Sequence, residues 1–394
     1  MLTTPTHSTR CWTHLWLPLA LAALCALVCL PARAASQDVV AAQPKPTEPK
    51  PDVLVFANGD QLTGQLERVT AGTVMFKATD AGELQVPWAK IKTLCTDQPF
   101  AILMLKEKVR HGHRNAQVPE GSFCMANQQI TIHATGGDQT IPVAGIAHVI
   151  DAATYKANLM HTPNLLHGWT GTLTGGASIV QSTQNETTYN SAIALARAIP
   201  TVAWIPANYR TLLGFTSSYG KITQTGTPTV KTSIYHANAE QDKYFTARFY
   251  ALGQAIFDHN YAQGLDLQQM YGGGFGFTAI KNPRQELDVT STVNYTKQEF
   301  AISSSNLNLV GSTFANTYQL KLPHSILFTE AASITPEWNN MNAYSANGSA
   351  GIALPVLKKL AFSVQMIDSY LNNPPPGFKA NSLQLNTGLT YTLP

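Results

Sequence analysis

The sequence predicts an all-β protein: a transmembrane antiparallel up-and-down β-barrel of about 12 strands, preceded by a small SH3-like all-β region that reads as duplicated. Three observations carry this. From Trp169 to the C-terminus, apolar and polar side chains alternate in segments of about 10 to 16 residues, each closed by a turn signal. Only 12% of the 394 residues are charged while 44% are hydrophobic, about half the usual charged share of a soluble domain. The chain also opens on an export signal. Its last strand shows the alternation best: Leu383, Leu385, Leu389, Tyr391 and Leu393 share one parity, and Ser382, Gln384, Asn386, Thr390 and Thr392 the other. Successive side chains of a strand point to opposite faces. A barrel with lipid outside and a polar lumen needs that pattern in every strand.

Residues 1–34 read as a signal peptide. Arg10 with His7 and His14 gives a mildly positive start, Leu15 to Leu30 an apolar stretch, and Ala32-Arg33-Ala34 a small-x-small cleavage site. Leu24 precedes Cys25 and Val28 precedes Cys29, so no small residue marks a lipoprotein cleavage. An uncleaved anchor is the alternative, although the apolar stretch is at the short limit for a span. Residues 35–51 form a linker in which Gln43 to Pro51 holds four prolines in nine residues. Such a stretch favours extended polyproline geometry and makes a semi-rigid tether.

Residues 52–152 read as a periplasmic tandem of SH3-like β units. Val53, Val55, Leu62, Leu66, Val74 and Phe76 supply apolar positions of short strands, with tight turns at Asn58-Gly59-Asp60 and Ala71-Gly72-Thr73. Val86-Pro-Trp-Ala-Lys-Ile-Lys-Thr-Leu94 returns 55 residues later as Ile141-Pro-Val-Ala-Gly-Ile-Ala-His-Val149. That repeat points to two small barrels packed in tandem. Once the signal leaves with Cys11, Cys25 and Cys29, the remaining thiols are Cys95 and Cys124. An oxidising compartment allows one disulfide between them; two buried thiols are the alternative, and spacing does not decide. Residues 153–166 are a connector, either a short helix or a plain linker.

Residues 167–394 form the barrel. Strands are expected near 168–183, 186–199, 207–222, 228–240, 244–258, 265–281, 284–300, 312–323, 325–338, 341–355, 359–372 and 378–393, with ten or fourteen as alternatives because the eighth to tenth alternate weakly. Longer connections then fall outside and short ones inside, as bacterial barrels place them. The exception is the first inner connection, Pro200 to Asn208, which carries Trp204. Parity sends Leu287, Val289, Val293 and Tyr295 to lipid, and Arg248, Asp258, Glu286 and Asp288 to the lumen. Cationic charge on the lipid face costs about 2–4 kcal/mol at the midplane, which fixes the choice of side. Trp169, Tyr209, Tyr219, Tyr271, Phe277, Tyr295 and Tyr391 lie near strand ends on the outward parity and are candidates for two aromatic girdles. Gly272, Gly274 and Gly276 share the parity of Met270 and leave a smooth lumen stripe for a bulky neighbour or a bend. A soluble β-sandwich also alternates, but with shorter strands and more charge on its wet face.

Residues 167–393 resemble the salt-induced outer membrane proteins, a family of uncharacterised barrels of diderm bacteria. The resemblance rests on Arg248-Phe-Tyr-Ala-Leu-Gly-Gln254, Phe257-Asp258-His259-Asn260, Tyr271-Gly-Gly-Gly-Phe-Gly-Phe277, Pro283-Arg284 and Tyr295-Thr-Lys-Gln-Glu299. It implies an outer-membrane location, with outer-membrane lipid and the barrel assembly machinery as partners, and offers no established catalytic residues to transfer. The C-terminus departs from the aromatic ending usual in barrels, with Leu393 in that place.

Functionally, a polar and largely neutral lumen suggests a narrow, weakly selective channel or a stress-related envelope protein. A structural protein that tethers a periplasmic envelope component through residues 52–150 is the alternative, and an outer-membrane hydrolase using Asp258, His259 and Ser303 to Ser305 a minor one. No enzyme and no cofactor are expected. His111 and His113 with His133 lack a carboxylate or thiolate at ligand spacing, so no metal is expected either. A net charge of +3, dispersed along the chain, gives no nucleic-acid footprint.

Overall fold

The computed structural model describes residues 50–105, 118–134, 136–160, 164–181, 184–202, 205–224, 226 and 228–393. The predicted signal peptide and most of the linker lie outside these residues, as do His111, His113 and Trp204.

The N-terminal module is built from β1 (Asp52–Phe56), β2 (Gln61–Thr70), β3 (Thr73–Ala78), β4 (Gly82–Pro87), β5 (Ile91–Met104), β6 (Glu120–Ala126), β7 (Gln129–Ala134), β8 (Gly137–Pro142) and β9 (Ile146–Asp151). The repeat is visible in its backbone. Trp88–Lys90 and Val143–Gly145 are matching 3-10 turns, capped by Pro87 and Pro142 and released into strand at Ile91 and Ile146 with φ of −98° and −100°. Each turn hangs on an equivalent bond, Trp88 N–H to the Gly72 carbonyl and Val143 N–H to that of Gln128, both at 3.0 Å.

The two copies do not form separate barrels. They merge in one nine-stranded sheet of order β4-β3-β2-β1-β5-β6-β7-β8, with β9 pairing both β2 and β5. The reason is β5, whose 14 residues pair with β1, β6 and β9 in succession and leave no seam between the copies. One core results, in which Leu54, Phe76, Leu94, Ile102, Phe123, Met125, Ile130 and Ile132 are wholly buried. A disulfide joins Cys95 and Cys124, which face each other across β5 and β6.

The connector is helical at its start: α1 (Ala152–Tyr155) is capped by Asp151, which accepts the Thr154 N–H at 2.9 Å, and a π-turn continues it over Lys156–Met160. Tyr155 and Leu159 pack with Ala101, Leu103 and Ile150 against Val202 and Ile205. The last two belong to the long inner connection of the barrel. Its length is therefore spent on seating the module.

The barrel closes with twelve antiparallel strands: β10 (Trp169–Gln181), β11 (Gln184–Ile199), β12 (Tyr209–Gln224), β13 (Val230–Tyr244), β14 (Phe249–Asn260), β15 (Leu265–Lys281), β16 (Gln285–Phe300), β17 (Leu307–Lys321), β18 (Leu327–Thr335), β19 (Ser345–Leu357), β20 (Leu360–Leu371) and β21 (Asn381–Leu393). Closure runs through β10 and β21, from Gly171 opposite Leu393 to Gly175 opposite Leu389. Parity orders most of the wall: Leu385 is 71% exposed, Val293 53% and Phe314 52%, while Thr292, Asn294, Thr296 and Gln298 on the other face are buried, together with a few apolar side chains such as Leu252 and Met270. An outward belt of bare Leu, Val and Phe around a polar interior is the inverse of a soluble protein and suits a hydrocarbon solvent. No helix among the described residues is long and apolar enough to cross a membrane.

Candidate functional site

Charged and polar side chains converge from many strands in the lumen, and two links cross it. Near the inner end, Arg210 of β12 lies opposite Asp242 of β13. Its Nε donates to Asp242 at 2.6 Å, and its Nη1 reaches Asp288 of β16 at 2.9 Å, with Glu286 at 3.9 Å. β12 and β16 are four strands apart in the barrel order, so the guanidinium forms a chord. Its carbon stands 5.1 Å from the Tyr250 ring and 5.7 Å from that of Tyr244. Arg suits this place because one planar fork serves two carboxylates and still stacks on rings. Gly276 makes the stack possible, since a Cβ there would collide with the Tyr250 ring.

At the outer end, a 3-10 turn over Tyr261–Gln263 folds inward. Gln263 is buried and its Nε2 donates to the carbonyls of Ser369 at 2.9 Å and Ala380 at 2.7 Å. Asn260 holds it by donating to its Oε1 at 2.9 Å. The β14–β15 and β20–β21 connections lie six strands apart in a ring of twelve, so this clasp spans the full diameter. Gly264 ends the turn at φ +68°, where a Cβ would come within 2.7 Å of the Phe378 ring. Leu265, Phe300 and Leu371 form a small apolar cluster under it.

A chamber of about 390 Å³ lies beneath the clasp, lined by polar groups including His236, Asn238, Gln254, Asp258, Gln268, Thr313, Asn347 and Gln384. Its wall is knitted by two relays. Gln298 donates to Gln268 at 2.8 Å, Gln268 donates to Asp258 at 2.9 Å, and His236 Nδ1 meets the other Asp258 oxygen at 2.6 Å. Asn294 donates to Thr313 at 2.6 Å, and Thr313 pairs with Thr335 at 2.8 Å. Side chains hydrogen-bonded to one another in this way hold the wall in a fixed shape.

The sequence-derived candidates fall as follows. Asp258, Glu286 and Asp288 are on lumen-facing strand positions, in the two constellations just described. Arg248 is a correction: it lies in the exposed turn between β13 and β14 because the ladder restarts only at Phe249. Arg210, which parity alone did not single out, is the cation that links two strands across the lumen. Tyr219, Tyr271 and Tyr295 lie towards the outer end of their strands, and Trp169, Tyr209, Phe277 and Tyr391 towards the inner end. The hydrolase set is not brought together. Asp258 engages His236, whereas His259 bonds Ser233 at 2.9 Å and the Asp266 carbonyl at 2.8 Å, and Ser303–Ser305 form an exposed 3-10 turn. His133 meets Asp138 at 2.9 Å, and no group of metal-ligating side chains occurs among the described residues.

A family model, described as a protein of unknown function, DUF481, matches residues 174–393, from within β10 to the end of β21. The chain belongs to the DUF481 family. No curated protein matches it in sequence. Solved structures similar to this DUF481 chain include the β domain of the Bordetella autotransporter BrkA, 10% identical over 57% of this chain and 97% of that one, with a TM-score of 0.27. An anion-selective porin from Comamonas acidovorans is 8% identical over 87% of this chain and 97% of its own, with a TM-score of 0.25. A Pseudomonas aeruginosa FadL homologue is 9% identical over 87% and 84%, with a TM-score of 0.23.

Proposed function

We propose that this DUF481 protein is an outer-membrane barrel of a diderm bacterium that admits small polar solutes through a narrow, gated lumen, with its N-terminal module in the periplasm. The observation that carries the reading is the pair of side-chain links, Arg210 inside and Gln263 outside, on either side of a polar chamber. Both links are made of groups that re-pair readily with water, so each can open without unravelling a strand. The test is planar-bilayer recording of the full chain. Small, infrequent conductance steps are expected for the wild type, with larger or longer ones for Arg210→Ala and for Gln263→Ala. Silence from all three proteins in a folded, heat-modifiable state would sink the conduit.

A second reading, envelope tethering through the module, is favoured by its sheet ends. β4 and β8 terminate the strand order and are largely exposed, so each offers a free edge to an added strand. Deleting residues 52–150 separates the readings, since a conduit keeps conducting and a tether loses its partner. The salt-stress role implied by the sequence resemblance predicts a growth defect of a deletion strain in high salt.

A further inference from the structure

On the outer surface of β11, β12 and β13, the side chains change character in rows. Ile193, Phe215 and Ala237 are aligned across the three strands, then Ser191, Ser217 and Tyr235, then Tyr189, Tyr219 and Ser233. The next row outward places Lys221 directly opposite Lys231, with Thr187 beside them. From the serine row to the lysine row is four residues, roughly 9 Å of height for a strand tilted by about 45°. That is the passage from hydrocarbon through the interfacial layer to the headgroups.

Two lysines facing each other in register are an anomaly. Their Cβ atoms stand about 4.5–5.5 Å apart, and like charges so placed repel. Both are exposed, and neither joins an ion pair among the described residues. Their outward neighbours Thr187, Tyr219 and Ser233 bring no negative charge. An anion seated between the two ammonium groups turns the repulsion into a two-point attraction. At this height on this face, the anion at hand is the phosphate of a lipid, whose chains would descend over Phe215 and Ala237.

We propose that Lys221 and Lys231 form a clamp for the phosphate of an outer-leaflet lipid, with Tyr219 and Tyr235 as its interfacial platform. The clamp is on the barrel exterior and holds whether or not the lumen conducts. The test is thermal melting of the full chain in neutral-detergent micelles doped with phosphatidic acid, with phosphatidylcholine, or with neither, and a parallel arm in inorganic phosphate. Phosphatidic acid is expected to raise the melting temperature of the wild type by several degrees more than phosphatidylcholine does. The double variant Lys221→Gln with Lys231→Gln loses most of that difference, with affinity down about tenfold or more, while in lipid-free detergent it melts no lower than the wild type. Lys297→Gln, whose lysine is engaged by Glu299 at 2.6 Å elsewhere on the outer rim, keeps the full response and serves as the control. An undiminished response in the double variant overturns the clamp. Equal protection by inorganic phosphate at matched concentration overturns the lipid as its occupant.

Discussion

The module and the barrel are the same secondary structure turned inside out. In the module the large apolar side chains are interior, with Phe76, Phe123, Ile130 and Ile132 wholly buried, and among those described only Val53 and Leu105 stand exposed. In the barrel most large apolar residues are on the exterior, and the interior holds Arg210, Asp242, Gln268 and Asn294 beside a few apolar groups such as Leu252 and Met270. The difference lies in the solvent. The module expels apolar surface from water, while the barrel has hydrocarbon outside and must satisfy its polar groups within. Energetic reasoning that works in one region has the opposite sign in the other.

The sharpest way to break the comparison is to truncate equivalent side chains. Phe123→Ala removes a wholly buried ring from the module and is expected to cost about 3–5 kcal/mol, whereas Leu385→Ala on the lipid face leaves no cavity and should cost far less. Two-transition denaturation in detergent, with heat-modifiable gel migration reporting the barrel, checks both. A barrel that fails together with the module would dissolve the distinction. Reduction, or Cys95→Ser with Cys124→Ser, opens a crosslink between residues separated by 29 positions and is expected to cost about 3–4 kcal/mol, again in the module transition alone. Leu385→Arg addresses the other side, with an expected loss of about 2–4 kcal/mol in lipid vesicles and little in a module position of equal exposure.

The smallest effects are in pH. Burial pushes the Asp52 carboxyl above its ordinary 3.8, against the Leu66 N–H that it accepts at 2.8 Å. The folded state then holds the proton more tightly than the unfolded one. Stability from this group is present below 3.8 and falls as pH rises through the folded value. Asp52→Asn, which still accepts the Leu66 bond, should flatten that slope. Burial lowers the His148 imidazole from 6.5, so stability from this residue is present above 6.5 and is lost as pH falls towards the folded value. Urea melts of the module transition between pH 7 and pH 5 should show the decline, and a His148→Gln variant should not.

How much of this was legible in the sequence follows from the range of the interactions. Parity is local, a matter of residues two apart, so the strand count and the outward positions of Leu383, Leu385 and Leu389 could be read directly. The module repeat was legible because both copies carry the same proline ahead of the same 3-10 turn. Its merging into a single sheet was not, because it depends on which strands β5 meets. The chord escaped for the same reason: Arg210 and Asp288 are 78 residues apart, and no short-range pattern joins them. Arg248 was misplaced by a turn boundary, the least determined part of any strand reading. The long inner connection stood out as irregular, yet only the cluster around Val202 and Ile205 says what it is for.

That cluster has a mechanical side. Ile205 is gripped by the module, and Arg210 follows five residues later on the strand that the same connection begins. The module is thus a handle fixed to the hairpin that carries the charged chord. A rotation of that hairpin would break the contacts of Arg210 to two carboxylates at once.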